Sequence, residues 1–380
     1  MQLWMFSPST DMQAMTMLHS VGIKTVVASH QALHTLIDQS FATYATVHAF
    51  PATGGDTEVT IDIYGHSFEW FSSGCPNSPA IRDRFYHQLE QILSDRVKGV
   101  FLDGVRFPSP ASCLVKSNFF SCFCPHCQED MTARGYDRKA IMNDVRKATD
   151  LMLSGSSAIL QRWLRALYSP SGWLTLQAAY PGLLAWFRYR ADCITSFIQE
   201  LSGWMSRHYP EKELAAFLFQ PCLAYLVGQD YRRLSPYLDI VSPMIYRNYP
   251  HQPGPATINQ EIMAIATLLR ENTNLPLAQC LEDLLCIFGL EIEGELAQGS
   301  KGLISMPINH VAEETLAAAA LSSPRSKVVP IIWAGDERLP EAITSLREIG
   351  VEHCILFSYE AGAAAHEDYF PEILADGVRP

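Results

Sequence analysis

The chain has 380 residues and a mass of 42.4 kDa, with 48% hydrophobic and 18% charged residues and a formal net charge of −12. That length accommodates one large domain or two modest ones, and the apolar share can build a sizeable core, which excludes a disordered chain. The acidic balance, with a pI near 5.4 and no arginine-rich run, argues against a non-specific grip on nucleic acid or an anionic membrane surface.

The opening residues, Met-Gln-Leu-Trp-Met-Phe-Ser-Pro, have no basic lead, long apolar run or small-residue cleavage pattern. The longest apolar stretch, residues 215–227, is broken by Gln220 and Pro221 and falls short of the ~20 residues that a membrane span needs. Ten cysteines scattered through a chain this long are not the dense framework of a small secreted domain. The expectation is a cytoplasmic protein without a membrane span, most of whose thiols are small buried apolar groups.

Short apolar runs alternate with longer amphipathic stretches from end to end. Residues 3–7 read as a strand, followed by a Ser-Pro-Ser-Thr turn and a helix over 11–21. The β-branched run 24–29 is a second strand with a short helix after Gln31, and 43–50 is a third. Residues 58–64 alternate like one arm of a hairpin. Ser78 and Pro79, at cap and first helical position, open a helix to about Arg96. The run 97–103, Val-Lys-Gly-Val-Phe-Leu-Asp, is a fourth strand that ends on a carboxylate.

A largely helical insertion occupies about 104–180, and 182–208 is one long amphipathic helix. Strands follow at 215–220 and 240–246, then a helix over 257–270 and a second insertion at about 272–306. Helices at 312–322 and 341–349 separate the last two strands, 327–333 and 352–359.

Eight strand-like runs, nearly all followed by helices, argue for a parallel sheet. Eight such units predict one closed (β/α)₈ TIM barrel over 1–380, with a helical insertion after strand four. An open dinucleotide-binding sheet would need a Gly-x-Gly-x-x-Gly turn after its first strand, and none is present. Residues 275–281 could also form a strand, which would shift the count.

Cys122-Phe-Cys124-Pro-His-Cys127 places three thiols within six residues. A tetrahedral Zn²⁺ site needs a fourth ligand, and Cys75, Cys113 and His126 are the candidates. Cys75 lies in Ser-Gly-Cys-Pro-Asn-Ser-Pro, where a tight turn feeds a helix. A thioredoxin-like redox role lacks the βαβ context it requires. With four cysteine ligands the site would be closed, so the metal would staple the insertion and would not activate water.

Cys-Pro-Asn-Ser-Pro-Ala at 75–80, followed by Cys-x-Cys-x-x-Cys at 122–127, resembles the zinc cluster of the family forty-two glycoside hydrolases, the β-galactosidases. The resemblance covers about the first 130 residues. It implies Cys75, Cys122, Cys124 and Cys127 as zinc ligands, with Cys113 in reserve, and makes self-association an expectation. Those enzymes carry an Asn-Glu acid/base pair after strand four, where this chain has Phe-Leu-Asp103-Gly-Val-Arg106-Phe-Pro. That replacement resembles the strand-four signature of uncharacterised glycosidase-like barrel families and of endo-α-polygalactosaminidase-like enzymes. Val-Ser-Pro-Met-Ile-Tyr246 and Ile-Leu-Phe-Ser-Tyr359 resemble strands six and eight of the same barrels.

Active sites of such barrels lie at the C-terminal ends of the strands. Those ends carry Asp103, Gln220, Tyr246 with Arg247, then Trp333 with Asp336 and Glu337, and finally Glu360. Glycoside hydrolysis needs two flanking carboxyl groups. Asp103 is the expected nucleophile or charge stabiliser, and Glu360 and Glu337 rank equally as its partner. Asp336 could instead cap the following helix. Arg106, His66, Trp70, Tyr246, Trp333 and Tyr359 are the expected substrate-binding residues: sugar faces pack on aromatic rings, and His66 could orient a substrate hydroxyl. Trp163, Trp173, Trp186 and Trp204 have helical surroundings and read as core.

The expected function is cleavage of a glycosidic bond in a carbohydrate substrate by two carboxylates at the barrel mouth. The alternative is a catalytically inactive carbohydrate-binding barrel held together by structural zinc, favoured by the absence of a carboxylate after strands five and six. A zinc hydrolase would need an open metal position, which an all-cysteine site does not offer.

Overall fold

A computed structural model describes residues 1–53, 58–113, 115–154, 157–167, 169–249, 257–273, 275–292 and 305–357. Eight parallel strands close into a barrel: β1 (Gln2–Phe6), β2 (Thr25–Ala28), β3 (Ala42–His48), β4 (Gly99–Asp103), β5 (Glu213–Phe219), β6 (Ile240–Met244), β7 (Ile331–Trp333) and β8 (His353–Phe357). Lys327–Val328 pairs with β6 just ahead of β7, and Pro330, with no N–H to give, separates the two pieces. Closure comes from β8, which pairs with β1 in the register Gln2↔His353 and with β7 in the register Ile331↔Ile355.

Residues 275–281 enter the helix Leu277–Phe288 and not a strand. Its run of Leu, Ala and Cys suits a helix of amphipathic period better than a β-ladder, so the strand count stays at eight. The hairpin anticipated near 58–64 exists, with arms Thr60–Ile61 and Ser67–Phe68 in the loop after β3. The long helix runs Pro181–His208, about 42 Å at 1.5 Å per residue. It buries a stripe of Trp186, Arg190, Cys193, Phe197, Leu201 and Met205 at intervals of three or four, the spacing of one helix face. Among the described residues no helix is long and apolar enough to cross a membrane.

Aromatic rings fill the barrel. Trp4 stacks on Tyr44 at 5.3 Å, Tyr44 meets Phe101 edge-on at 5.5 Å, and Phe101 stacks on Phe217 at 4.7 Å. Phe6 joins Phe217 to Phe357 at 5.3 and 5.5 Å. Because side chains alternate across a strand, the inward set on β4 that contains Phe101 also contains Asp103. Gly99 is required where β4 passes β5, since an added Cβ would lie 2.1 Å from the Glu213 carbonyl oxygen.

Two tryptophans read as core are not. Trp173 is 44% exposed and Trp163 is half-buried. Both line an apolar hollow of about 270 Å³ with Phe119, Phe120, Phe187 and Phe288. Among the described residues no carboxylate lines it.

Phe101 is fully buried at the centre of the ring stack. Phe101→Ala is expected to cost about 3–5 kcal/mol, measured as a lower urea midpoint at unchanged slope; a loss below about 1 kcal/mol would show that the stack does not organise the barrel.

Candidate functional site

The four cysteines come together as the sequence pattern implied. Cys75, Cys122, Cys124 and Cys127 are all buried, and their Sγ atoms lie within 4.8 Å of one another. Cys75 sits 3.4 Å from Cys127 and 3.3 Å from Cys124. Tetrahedral zinc–sulfur bonds of about 2.3 Å would set sulfurs about 3.8 Å apart, so the cluster fits a metal ion with small adjustments. Cys124 caps the helix Pro125–Ala133, which starts with Pro at its first position. The helix terminus and its free N–H groups favour negative charge there.

Several N–H groups point at the sulfurs. Ile61 N donates to Cys122 at 3.4 Å, and Asn77 N to Cys75 at 3.4 Å. The Asn77 amide reaches Cys127 at 3.5 Å, Cys193 at 3.3 Å and the Tyr189 hydroxyl at 2.8 Å. Hydrogen bonds from Cys122, Cys127 and Cys75 pull the Cys124 thiol far below its ordinary value, while those with Cys122 and Cys124 push Cys75 and Cys127 up. A metal ion would take the place of the shared protons. Cys113 and His126 lie outside this cluster. The donor set is all sulfur and leaves no open position, so these residues would hold a metal without activating water.

The same loop that carries Cys75 builds one wall of the barrel mouth. Ser73, two residues earlier, bonds His48 Nε2 at 2.8 Å, and Trp70 stacks on the Arg106 guanidinium at 4.6 Å. Phe71 and Ser72 between them hold left-handed φ values of 46° and 53°, a costly conformation for residues with side chains. Phe71 is 45% exposed, with its ring 6.0 Å from Arg106.

Asp103 ends β4, in register with His48 on β3. It is exposed, and its carboxylate makes no hydrogen bond or ion pair among the described residues. Gly104 turns the chain with φ +65°, and a Cβ there would strike the His48 ring at 2.8 Å. Burial lowers the His48 pKa, the Asp103 charge raises it and Arg106 lowers it. Burial pushes the Tyr246 hydroxyl well up, and the Asp103 charge adds to this. Asp103, Arg106, Trp70, Tyr246 and His48 therefore form one electrostatic neighbourhood.

Arg106 is buried between Trp70 and Phe219, whose ring lies 4.8 Å away, and gives one hydrogen bond of 3.0 Å to the Phe107 carbonyl. Burial pulls its pKa down to about 10, so it remains a cation at neutral pH. The loop beyond it is held by Glu261, a fully buried carboxylate that accepts from Ser109 Oγ at 2.6 Å and Ala111 N at 2.8 Å. Burial raises the Glu261 pKa in spite of those two bonds.

On the other side of the mouth, Trp333 meets Tyr249 edge-on at 5.4 Å and Tyr246 lies 5.1 Å from Phe357. Arg247 and Asp336 form a buried two-pronged pair at 2.9 and 2.7 Å, and Asp336 also accepts from Arg338 N at 3.0 Å. Asp336 thus braces the helix Leu339–Glu348 and leaves no free oxygen for proton transfer. Glu337 beside it is exposed and without a hydrogen bond among the described residues. His66 is not part of this group: it stands exposed on the hairpin, 3.3 Å from Asp62. Glu360 and Tyr359 lie outside the described residues.

His48, Ser73, Phe219 and Glu261 were not singled out from the sequence. His48 could have been, since it follows Tyr44 and Thr46 on the inward face of a strand end. The others are brought in by long-range packing that has no local signature.

Gln220, at the end of β5, is buried and bonded to His310 Nε2 at 2.9 Å. Burial, then the Arg247 charge, pulls the His310 pKa from 6.5 to about 4. Unfolded, this histidine takes up its proton near 6.5, so between the two values the unfolded chain binds more protons. Stability should be complete above pH 6.5 and fall as the pH drops towards 4. Thermal midpoints across that window should flatten in His310→Gln; an unchanged slope would assign the effect to other groups.

Elemental analysis of protein purified without chelator should return about one metal ion per chain. Cys127→Ser should destabilise by about 4 kcal/mol or more, the range associated with loss of a structural metal. Metal-free protein of undiminished stability would refute the metal site.

No protein-family model matches the sequence, and no curated protein is similar to it. Among solved structures, the fold is similar to a polyextremophilic β-galactosidase from the Antarctic haloarchaeon Halorubrum lacusprofundi, at 14% identity and a TM-score of 0.44 over 87% of this chain and 52% of that one. A β-galactosidase from the psychrophilic Marinomonas ef1 matches at 11% identity and 0.44, covering 87% of this chain and 53% of that one. A catalytic mutant of a family 42 β-galactosidase from G. stearothermophilus matches at 10% identity and 0.44, covering 87% and 50%. The chain spans about half the length of these three proteins.

Proposed function

We propose that the protein is a glycoside hydrolase in which Asp103 acts as nucleophile or charge stabiliser. The observation that carries this reading is the state of Asp103: an exposed inward carboxylate at the end of β4, free of any hydrogen-bonded partner among the described residues. A structural aspartate would be tied down, as Asp336 is by Arg247. Cleavage needs a second carboxyl group to protonate the leaving oxygen, and Glu337 and Glu360 are the candidates. Phe71 and Trp333 supply apolar faces for a sugar ring, and Tyr246 and Arg106 supply polar contacts. We read the cysteine cluster as structural zinc, because four thiolates suit a tetrahedral ion without redox chemistry.

A second reading, a carbohydrate-binding barrel without catalysis, is favoured by one feature. β5 leads into Gln220, which is buried against His310, and β6 leads into Tyr246, so neither supplies a carboxylate. The two readings differ in turnover. Hydrolysis of a panel of α- and β-aryl glycosides should fall by about 10²–10⁴-fold in Asp103→Asn, the usual contribution of a positioned proton-transfer or charged group. The thermal midpoint should hardly move, because a partnerless surface carboxylate contributes within about 0.5 kcal/mol. Turnover retained in the variant would remove Asp103 from the mechanism. Sugar binding without turnover in the wild type would favour the binding barrel.

A further inference from the structure

Arg106 is more than nine-tenths buried, yet among the described residues it pairs with no carboxylate. Its guanidinium lies between the Trp70 and Phe219 rings at 4.6 and 4.8 Å, and it spends one N–H on the Phe107 carbonyl. The rest of its five N–H donors find no acceptor among the described residues. The two acidic groups that feel its charge are both otherwise placed. Glu261 is occupied by Ser109 and Ala111, and Asp103 is exposed and beyond ion-pair distance.

Of the other buried arginines among the described residues, Arg247 is matched by Asp336. Arg190 resembles Arg106 in having no carboxylate: it donates from Nη2 to Pro108 O at 2.8 Å, three aromatic rings lie within 5.2 Å, and its Nε and Nη1 find no acceptor. Arg190 stands in the protein interior on the long helix, whereas Arg106 stands beside the candidate nucleophile. A buried guanidinium packed against two aromatic rings is preorganised for a planar, two-pronged oxyanion. Neutral sugar hydroxyls can satisfy its donors but not its charge.

From this we infer that Arg106 is an anion-recognition residue, and that the sugar taken at the mouth carries a carboxylate or a sulfate ester beside the bond to be cleaved. The inference deepens the glycosidase reading, resting on it for the kind of molecule bound.

The test is direct binding by calorimetry, which needs no turnover. Wild-type protein is titrated with the methyl glycosides of glucuronic and galacturonic acid, their neutral parents, and galactose 6-sulfate. A charge-assisted pair should favour the anionic sugar by about tenfold or more. Arg106→Gln should abolish that preference, and Arg106→Lys should restore only part of it, since lysine lacks the fork and the stacking. The uronate and sulfate arms separate the two sources of charge. If Arg106→Gln does not fold, the wild-type comparison of charged and neutral sugars still decides. Equal affinity for both, or a preference that survives in Arg106→Gln, overturns the inference. Hydrolysis confined to neutral aryl glycosides would do the same while leaving the glycosidase reading intact. Uronate binding without turnover would leave the anion site standing and remove the glycosidase.

Discussion

The meeting of four sulfurs holds together the part of the molecule where chemistry is expected. Cys75 belongs to the loop after β3, the other three cysteines to the insertion after β4, and Asn77 and Tyr189 tie the cluster to the long helix. Loops of this length have few backbone ladders of their own, so a metal ion held by the four thiolates would help give them one conformation. Ser73 and Trp70 lie within five residues of Cys75. They are the groups that orient His48 and cover Arg106. A change at the sulfurs is therefore transmitted to the mouth through very few bonds.

Charge burial is the second organising constraint. Among the described residues three arginines, 106, 190 and 247, are buried in a chain of net charge −12. An unpaired buried charge is expensive, and a pair repays its desolvation only with good geometry. Arg247 and Asp336 meet that standard with two short bonds, and through them β6 is clamped to the loop after β7. Arg190 substitutes aromatic faces for a counter-ion. Around Asp103 the arrangement is looser, with rings on one side and an exposed carboxylate on the other.

The barrel was legible because its information is local. A buried parallel strand must be a short apolar run, and the amphipathic stretches between runs have helical period, so Lys24–Ser29 and Gly182–His208 announce themselves without knowledge of any contact. The cysteine set was legible too, since Cys122, Cys124 and Cys127 sit on one short segment and only the fourth partner needed a fold to choose between Cys75, Cys113 and His126. Where a residue's role depends on an element far away in sequence, no pattern revealed it. Glu261 has no local signature, but the fold carries it to Ser109 and Ala111, about 150 positions away. Trp173 has the hydrophobicity of core, but it borders an open hollow.

Local pattern was enough for the eight strands, their order, the carboxylate at the end of the fourth and three of the four thiols that meet in the cluster. These follow from periodicity and from side-chain chemistry at short spacing. Tertiary structure alone decided that Asp336 is tied to Arg247, that Asp103 is free, that His48 stands beside it, and that Glu261 braces the loop between them. Each of these joins residues tens to more than a hundred positions apart or depends on what surrounds them, and burial, on which their charges depend, is a property of the closed barrel and not of any segment of it.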